Sequence, residues 1–404
     1  MEPIRLLYVI RPAAGGMREH LLNLVGGLDP SEYRITVACP PDEGMVARLK
    51  GSGAEVRAFA LKGELSPWSD WKAALFLRRL IRSERIQLVH VHSFKAGLVA
   101  RIAAGGRGRL VGSPAPHPDV GHPTASRPKI VYTVHNFIFG EGGQGLKRRL
   151  YIFMENLLAP RTDRIITVSG ALRQDLLRLG VPPEKVAPIY NGIDTRRFAH
   201  ARNPEVRARK RAELGLADGR FVVGTVARLI PSKGVGFLLG AVSRVLARIP
   251  GAVFLIAGAG PQRQELEGLA ARLGIGEAVR FLGFREDVPE LLAAFDLFVL
   301  PSLSEGMAII LVEAMAAGRP VVASKTGGMV EVVEDGKTGL LVPPGDSEAL
   351  AEAILRLHGD PAGTAEFVAA AERRVEEKFT LEAMLRQTRE VYRSVLESDQ
   401  GKMN

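Results

Sequence analysis

Two doubly wound α/β domains, each a parallel sheet covered by helices on both faces, are the fold this sequence predicts. Three observations carry the prediction. Short, nearly all-apolar runs alternate with longer amphipathic ones, the pattern of strands buried on both faces and joined by crossover helices. The apolar runs fall into two sets of six, one in each half of the chain. The length of 404 residues, with 46% hydrophobic and 24% charged side chains, supplies two or three ordinary cores and excludes wholesale disorder.

In the first half the predicted strands are 4–10, 35–38, 56–60, 88–91, 130–134 and 165–168, with helical patterns at 20–28, 71–81 and 146–158. The second half repeats the scheme at 221–227, 253–257, 279–282, 297–300, 321–323 and 340–342. Asn191-Gly192 marks a turn, and Arg196, Arg197 and Pro204 follow, so 191–205 is expected to be a linker. The stretch 105–128 is rich in Gly and Pro and is expected to be a mobile loop. The last pattern places Leu381, Met384, Leu385, Thr388, Val391, Tyr392 and Val395 on one helix face. The expected organisation is a first domain over 1–190, a second over 206–380, and a closing helix over 381–404 packing back on the first. No short repeat supports a solenoid.

Charge is unevenly divided. Residues 1–200 carry 29 Lys and Arg against 17 Asp and Glu, while the remainder carries 25 against 27. The first half is therefore expected to face something anionic. A single cysteine, Cys39, excludes a disulfide framework and suits a reducing compartment. The N-terminal apolar run is short and lacks a cleavage pattern, and no run approaches the length of a membrane span. A cytoplasmic location is the expectation.

Candidate chemistry clusters after predicted strands. In SEGMAIILVEAMAAG, Glu305 falls on a loop and Glu313 interrupts an otherwise apolar helix expected to start near Met307. A buried carboxylate needs a partner, which a ribose diol or a structural cation could supply. Arg228 and Lys233 follow the strand FVVGTVA in ARLIPSKG, where ligands bind in open parallel sheets; two such cations suit a diphosphate, although lone surface cations are usually just solvated. Gly15-Gly16 follows the first strand and either admits a ligand or makes a turn. His92 and His135 each close a strand and could touch a substrate, whereas His90 reads as a core histidine. Ser169 reads as a helix cap. Gly258-Ala259-Gly260 lacks the third glycine of a dinucleotide fingerprint, and Gly336-Lys337-Thr338 lacks the first glycine of a phosphate loop. No D-x-D triplet occurs, and no histidine–carboxylate cluster has metal spacing, so no metal is expected.

Together the segments AAGGMREHLLNL, TVHNF, ITVSGALRQDL, IYNGIDTRRF, GTVARLIPSKGV, IAGAGPQR, FLGFREDVPELLAAFDLFVLPSLSEGMAIILVEAMAAGRPVVAS and TGGMVEVVEDGKTGLLVPPGD resemble glycosyltransferase family 4 over nearly the whole chain. The resemblance implies a GT-B fold, with two Rossmann-like sheets facing a central cleft, and retaining transfer from a nucleotide-diphosphate sugar without a metal or cofactor. It implies that Arg228 and Lys233 hold the diphosphate and that Gly16 touches the distal phosphate. Glu313 would bind the ribose, and Phe284 and Arg285 would lie near the base. Glu305 with the backbone of Gly306, Met307 and Ala308 would hold the donor sugar, and His135 would lie near the transfer site. The chain departs from common family patterns at Met307, where an aromatic is frequent, and at Ala259, where Asp is.

The implied function is transfer to a lipid-linked or polysaccharide acceptor in envelope or exopolysaccharide synthesis, without nucleic acid. Alternatives are a sugar-nucleotide epimerase, which would need no acceptor, and a silent binding subunit, which would lack Arg228, Lys233 or the glutamate pair. The pattern 71–85 carries Arg78, Arg79, Arg82 and Arg85 behind Trp68 and Trp71, and Lys147, Arg148 and Arg149 lie between Leu146 and Leu150. Both suit peripheral contact with an anionic membrane on its inner face, or else are solvated helix faces.

Overall fold

Apolar strands flanked by helices assemble into two parallel sheets in the computed structural model, which describes residues 2–12, 15–59, 61, 66–104, 127–136, 153–155 and 157–398. Contacts divide the chain into two units, Met1–Thr167 with Asp175–Pro188 and Leu385–Asn404, and Val168–Gln174 with Ile189–Met384. The stretch 105–126 and the basic cluster Lys147, Arg148 and Arg149 lie outside the described residues.

In the first unit the strands are β1 (Ile4–Ile10), β2 (Tyr33–Cys39), β3 (Glu55–Ala58), β4 (Leu88–His92), β5 (Lys129–Val134), β6 (Arg164–Thr167) and β7 (Val186–Pro188). Their order is β3-β2-β1-β4-β5-β6-β7, all parallel. β1 is central: Leu7 pairs with Thr36 on one side and Val89 on the other, and Leu6 to Ile10 are fully buried. The strand β7 was not anticipated. It has three residues, one of them proline, and only Val186 is buried, so it carries no periodic signal.

The helix Leu381–Glu397 buries the anticipated stripe from Met384 to Val395. Leu385 lies against Gly27, where a Cβ would come within 2.3 Å of its methyl carbon. The Tyr392 hydroxyl meets the Tyr8 hydroxyl at 3.0 Å and His90 Nδ1 at 2.6 Å, while His90 Nε2 meets Thr133 Oγ1 at 2.6 Å. Both nitrogens of His90 are thus occupied, as a core histidine requires. Arg101 is fully buried and forks onto Glu155 at 2.7 and 2.8 Å, with its Nε donating to the Gly97 carbonyl at 2.9 Å. Helix periodicity did not reveal this ion pair, because its partners come from separate segments.

In the second unit the strands are β8 (Val222–Val226), β9 (Val253–Ala257), β10 (Val279–Gly283), β11 (Leu297–Leu300), β12 (Val321–Ser324) and β13 (Leu340–Val342), in the order β10-β9-β8-β11-β12-β13. Leu238, Val242 and Val245 of the helix Val235–Leu246 pack with Phe254, Ile256 and Val299 of the sheet and Ile354 of the helix Ser347–Gly359. A side chain at Gly224 would overlap the Phe295 ring, at 2.1 Å. The expected linker 191–205 is instead structured and belongs to this unit. Asp194 caps the short helix Thr195–Ala199, Asn203 caps Pro204–Glu213, and Phe198 and Ala201 are buried. Of the residues that suggested a linker, Asn191 is buried and Pro204 is the first residue of a helix, where its fixed φ is tolerated.

Burial holds His90, His92 and His135 well below their ordinary value of 6.5. The folded unit keeps them neutral, while the unfolded chain takes up protons below that pH. Their stabilising contribution is therefore present above about pH 6.5 and is lost as pH falls, each histidine adding up to about 1.4 kcal/mol per pH unit to the slope. We expect the urea midpoint of the first unit's transition to drop steeply between about pH 7 and about pH 5.5. A flat midpoint across that interval would contradict a neutral, buried histidine set.

Candidate functional site

The strand order of each sheet reverses at one place, between β8 and β11 in the second unit and between β1 and β4 in the first. At such a switch point adjacent loops diverge to opposite faces and leave an opening beyond the strand carboxyl ends, where ligands bind. The candidate residues collect at these two places.

In the second unit, the chain after β8 is held against the loop after β9. The Ala227 and Leu229 amides donate to the carbonyls of Ala257 and Ala259, each at 2.9 Å. Any Cβ at Gly258 would lie 1.8 Å from the Ala227 oxygen, and one at Gly260 would lie 2.3 Å from that of Leu229. The glycines that fail as a dinucleotide fingerprint are thus needed for close backbone approach. The turn Pro231–Lys233 leads to Gly234, whose φ of +62° is left-handed and whose missing Cβ leaves room for the Pro301 carbonyl. This brings the loops after β8 and β11 together, and the Leu303 amide donates to the Ser232 carbonyl at 2.8 Å.

Lys233 Nζ here forms a salt bridge with Glu305 Oε1, to which Ser302 Oγ also donates at 2.9 Å. Glu305 is 5% exposed. The ammonium and the hydroxyl converge on one oxygen of this desolvated carboxylate and fix its orientation. Arg228, by contrast, is exposed and has no ion-pair partner among the described residues. Gly306 and Ala308 complete the loop, with Ala308 at the N-cap of the helix Ile309–Ala316 and no side chain capping that end. Its first amides can therefore serve a ligand. Met307 is buried, and its sulfur accepts the Asn191 amide at 3.2 Å, which gives it a packing role where an aromatic was the family habit.

Two expectations change. Glu313 lies on the helix Ile309–Ala316 but is partly exposed, so it is not the fully buried carboxylate that the apolar run suggested. Arg285 is engaged by Asp287 and Glu213, and Asp287 also binds Lys210 at 2.7 Å. The Arg285 bond is the main reason the Asp287 carboxyl falls to about 2. This network commits Arg285 structurally and leaves Phe284, 65% exposed, as the available member of the pair.

In the first unit, Gly15 has a left-handed φ of +68° and opens the helix Gly16–Gly27. Gly16 is exposed, and a Cβ on Gly15 would meet nothing within 4 Å. His135 follows β5 and is buried, with Nε2 3.0 Å from His92 Nδ1 and its ring edge-on to that of His20 at 4.8 Å. Desolvation, together with the nearby His20, His90 and Arg11, keeps it neutral. It can share a hydrogen bond but does not supply positive charge at neutral pH. His20 and Ser302 were missed because neither has a distinctive sequence neighbour. Ser169 is the cap it was expected to be, accepting the Leu172 amide at 3.3 Å.

Comparison with known proteins supplies the family. The family described as Glycosyl transferase 4-like domain matches residues 15–192, and that described as Glycosyl transferases group 1 matches residues 220–360. The chain is 30% identical over 365 residues to the UDP-Gal:alpha-D-GlcNAc-diphosphoundecaprenol alpha-1,3-galactosyltransferase of Escherichia coli, 88% of either protein being covered. It is 39% identical over 208 residues to a GDP-mannose-dependent alpha-(1-6)-phosphatidylinositol monomannoside mannosyltransferase of Mycolicibacterium smegmatis, covering 49% of this chain and 54% of that one. The crystal structure of Anabaena Alr3699/HepE in complex with UDP-glucose superposes with a TM-score of 0.81 at 27% identity, covering 97% of this chain and 100% of the other. The chain belongs to the glycosyltransferases of the family 4 type, built on the GT-B fold.

Proposed function

We propose that the protein transfers a hexose from a UDP-sugar to a lipid-linked acceptor, with retention at the anomeric carbon and without a metal ion. The observation that carries this reading is the Lys233–Glu305 pair at the β8–β11 switch point, on the same loop as the exposed Arg228, which has no ion-pair partner among the described residues. The bond broken joins the anomeric carbon to phosphate, so negative charge grows on the diphosphate and positive charge on the sugar. Arg228 and Lys233 meet the first with preorganised cations, a major electrostatic contribution to catalysis. In the second unit Glu305 and the amides at Gly306–Ala308 hold the sugar, Glu313 the ribose and Phe284 the base; in the first unit Gly16 offers its amide to a phosphate, and neutral His135 a hydrogen bond to a sugar hydroxyl. The leaving phosphate, on the same face as the acceptor, takes the acceptor's proton. A uridine donor is favoured because the Escherichia coli relative matched over most of its length is named for UDP-Gal and the Anabaena structure holds UDP-glucose.

Membrane contact forms part of the proposal. Among the described residues no helix is long and apolar enough to cross a membrane. The helix Pro67–Ser83 exposes Trp68 and Trp71, stacked at 5.4 Å, with Lys72 over the Trp68 ring, and Arg79 and Arg82 continue the exposed face. Arg78 is only partly exposed, and Arg85 lies beyond the helix end at a φ of +50°. Stacked indoles beside exposed cations suit the interface of an anionic bilayer.

Four outcomes are expected. Arg228→Ala lowers kcat/KM at least tenfold with an unchanged melting temperature, because a charge-assisted phosphate contact is worth about 1.5–3 kcal/mol and this exposed side chain has no ion-pair partner among the described residues. Lys233→Ala lowers both activity and stability, since it strands the buried Glu305. Normal kinetics in both variants would remove the pair from the donor site. Transfer should survive dialysis against EDTA, and loss restored by magnesium would refute the cation clamp. Binding to anionic vesicles should weaken strongly when Arg79, Arg82 and Arg85 become Glu, whereas equal partition onto neutral and anionic vesicles would point to a soluble acceptor.

A further inference from the structure

Three imidazoles from distant parts of the sequence meet at the β1–β4 switch point: His20 of the helix Gly16–Gly27, His92 closing β4, and His135 following β5. One ligand nitrogen from each can be chosen so that all three lie within 4.8 Å of one another, and all three residues are buried. The sequence excluded a metal because no local spacing matched. Ligands at 20, 92 and 135 have no local spacing, and only the sheet order brings them together.

The donor chemistry is that of zinc and its neighbours. Imidazoles bind zinc at about 2.0–2.1 Å, which places tetrahedral ligands about 3.3 Å apart. His92 Nδ1 and His135 Nε2, 3.0 Å apart, share a hydrogen bond whose proton a bound cation would displace. The widest pair needs about 1.5 Å of approach to reach the tetrahedral separation, within the reach of ring rotation. Magnesium and calcium, which prefer oxygen, are poor fits.

Packing alone explains the cluster incompletely. Among the described residues, His92 Nε2, the ring nitrogen away from His135, is buried without a hydrogen-bond partner, as is the hydroxyl of the next residue, Ser93. Ser93 has a φ of +88°, left-handed for a residue that has a Cβ, so the backbone immediately after His92 is strained. Unsatisfied buried groups and strain side by side mark a place shaped for something other than stability.

We propose that His20, His92 and His135 form a site for a zinc-type cation, and that loading it occupies the His135 imidazole and suppresses sugar transfer. The second clause rests on the role given to His135 in the proposed function. Three protein ligands leave a fourth position for water.

X-ray absorption on the full chain loaded with one equivalent of zinc tests the site directly. Three imidazole nitrogens at about 2.0–2.1 Å are expected, and a shell with one imidazole or none overturns the proposal. His92→Gln, with its fold checked by circular dichroism, should bind zinc at least tenfold more weakly, and unchanged affinity also overturns the site. Should that variant fail to fold, the wild-type absorption spectrum still decides. Zinc loading should slow transfer at least tenfold, with recovery in EDTA and no effect of magnesium. A full three-imidazole shell with unaltered transfer would keep the cation site and overturn both the inhibition and the role of His135 at the donor sugar.

Discussion

A parallel sheet buried on both faces can present polar chemistry only where its covering layers part. Both sheets of this protein obey that constraint. Their strands are almost wholly apolar and their flanks are occupied by helices, so charged groups that need desolvation and fixed direction collect beyond the strand carboxyl ends. In the second unit this produces a lysine, a glutamate and a free-standing arginine within two neighbouring loops. In the first it produces three histidines. The loops hold these positions through backbone contacts: the approach of Gly258 and Gly260 to the 227–229 backbone and of Gly234 to Pro301 leaves no room for side chains. Replacing any of these three glycines would push apart the loops that define the site.

The buried charges are costly unless fully paired, and the pairings differ in purpose. Arg101 and Glu155 form a bidentate pair that also satisfies the Gly97 carbonyl, an arrangement whose disruption would cost about 3–5 kcal/mol. Nothing about it requires a ligand. Lys233 and Glu305 are held less completely. Lys233 is 18% exposed, and the pair sits at a loop edge beside open helix amides. Desolvation there raises the strength of each contact a diphosphate or sugar hydroxyl could make. The same site chemistry in two exposed side chains would contribute little.

The sequence was most informative where periodicity and neighbour chemistry act locally. Twelve of the strands followed from apolar runs, and the stripe from Met384 to Val395 foretold the buried face of the last helix. Arg228, Lys233, Glu305 and Glu313 stood out because charges next to apolar strands are conspicuous. Features that depend on tertiary convergence were not legible. β7 is too short to show a period, and the turn signal at Asn191-Gly192 with Pro204 hid two short capped helices. His20 joined His92 and His135 only once the sheet order was known. Arg285 illustrates another limit: its partners Asp287 and Glu213 are not evident from its sequence neighbours.

The central claim is that the second unit recognises a leaving diphosphate. Calorimetry comparing UDP with UMP on the full chain tests it most directly, because the two ligands share base and ribose and differ only in the phosphate that Arg228 and Lys233 would meet. One desolvated, charge-assisted contact is worth about 1.5–3 kcal/mol, so UDP should bind at least tenfold more tightly than UMP. Equal affinities, or binding of neither, would contradict the account.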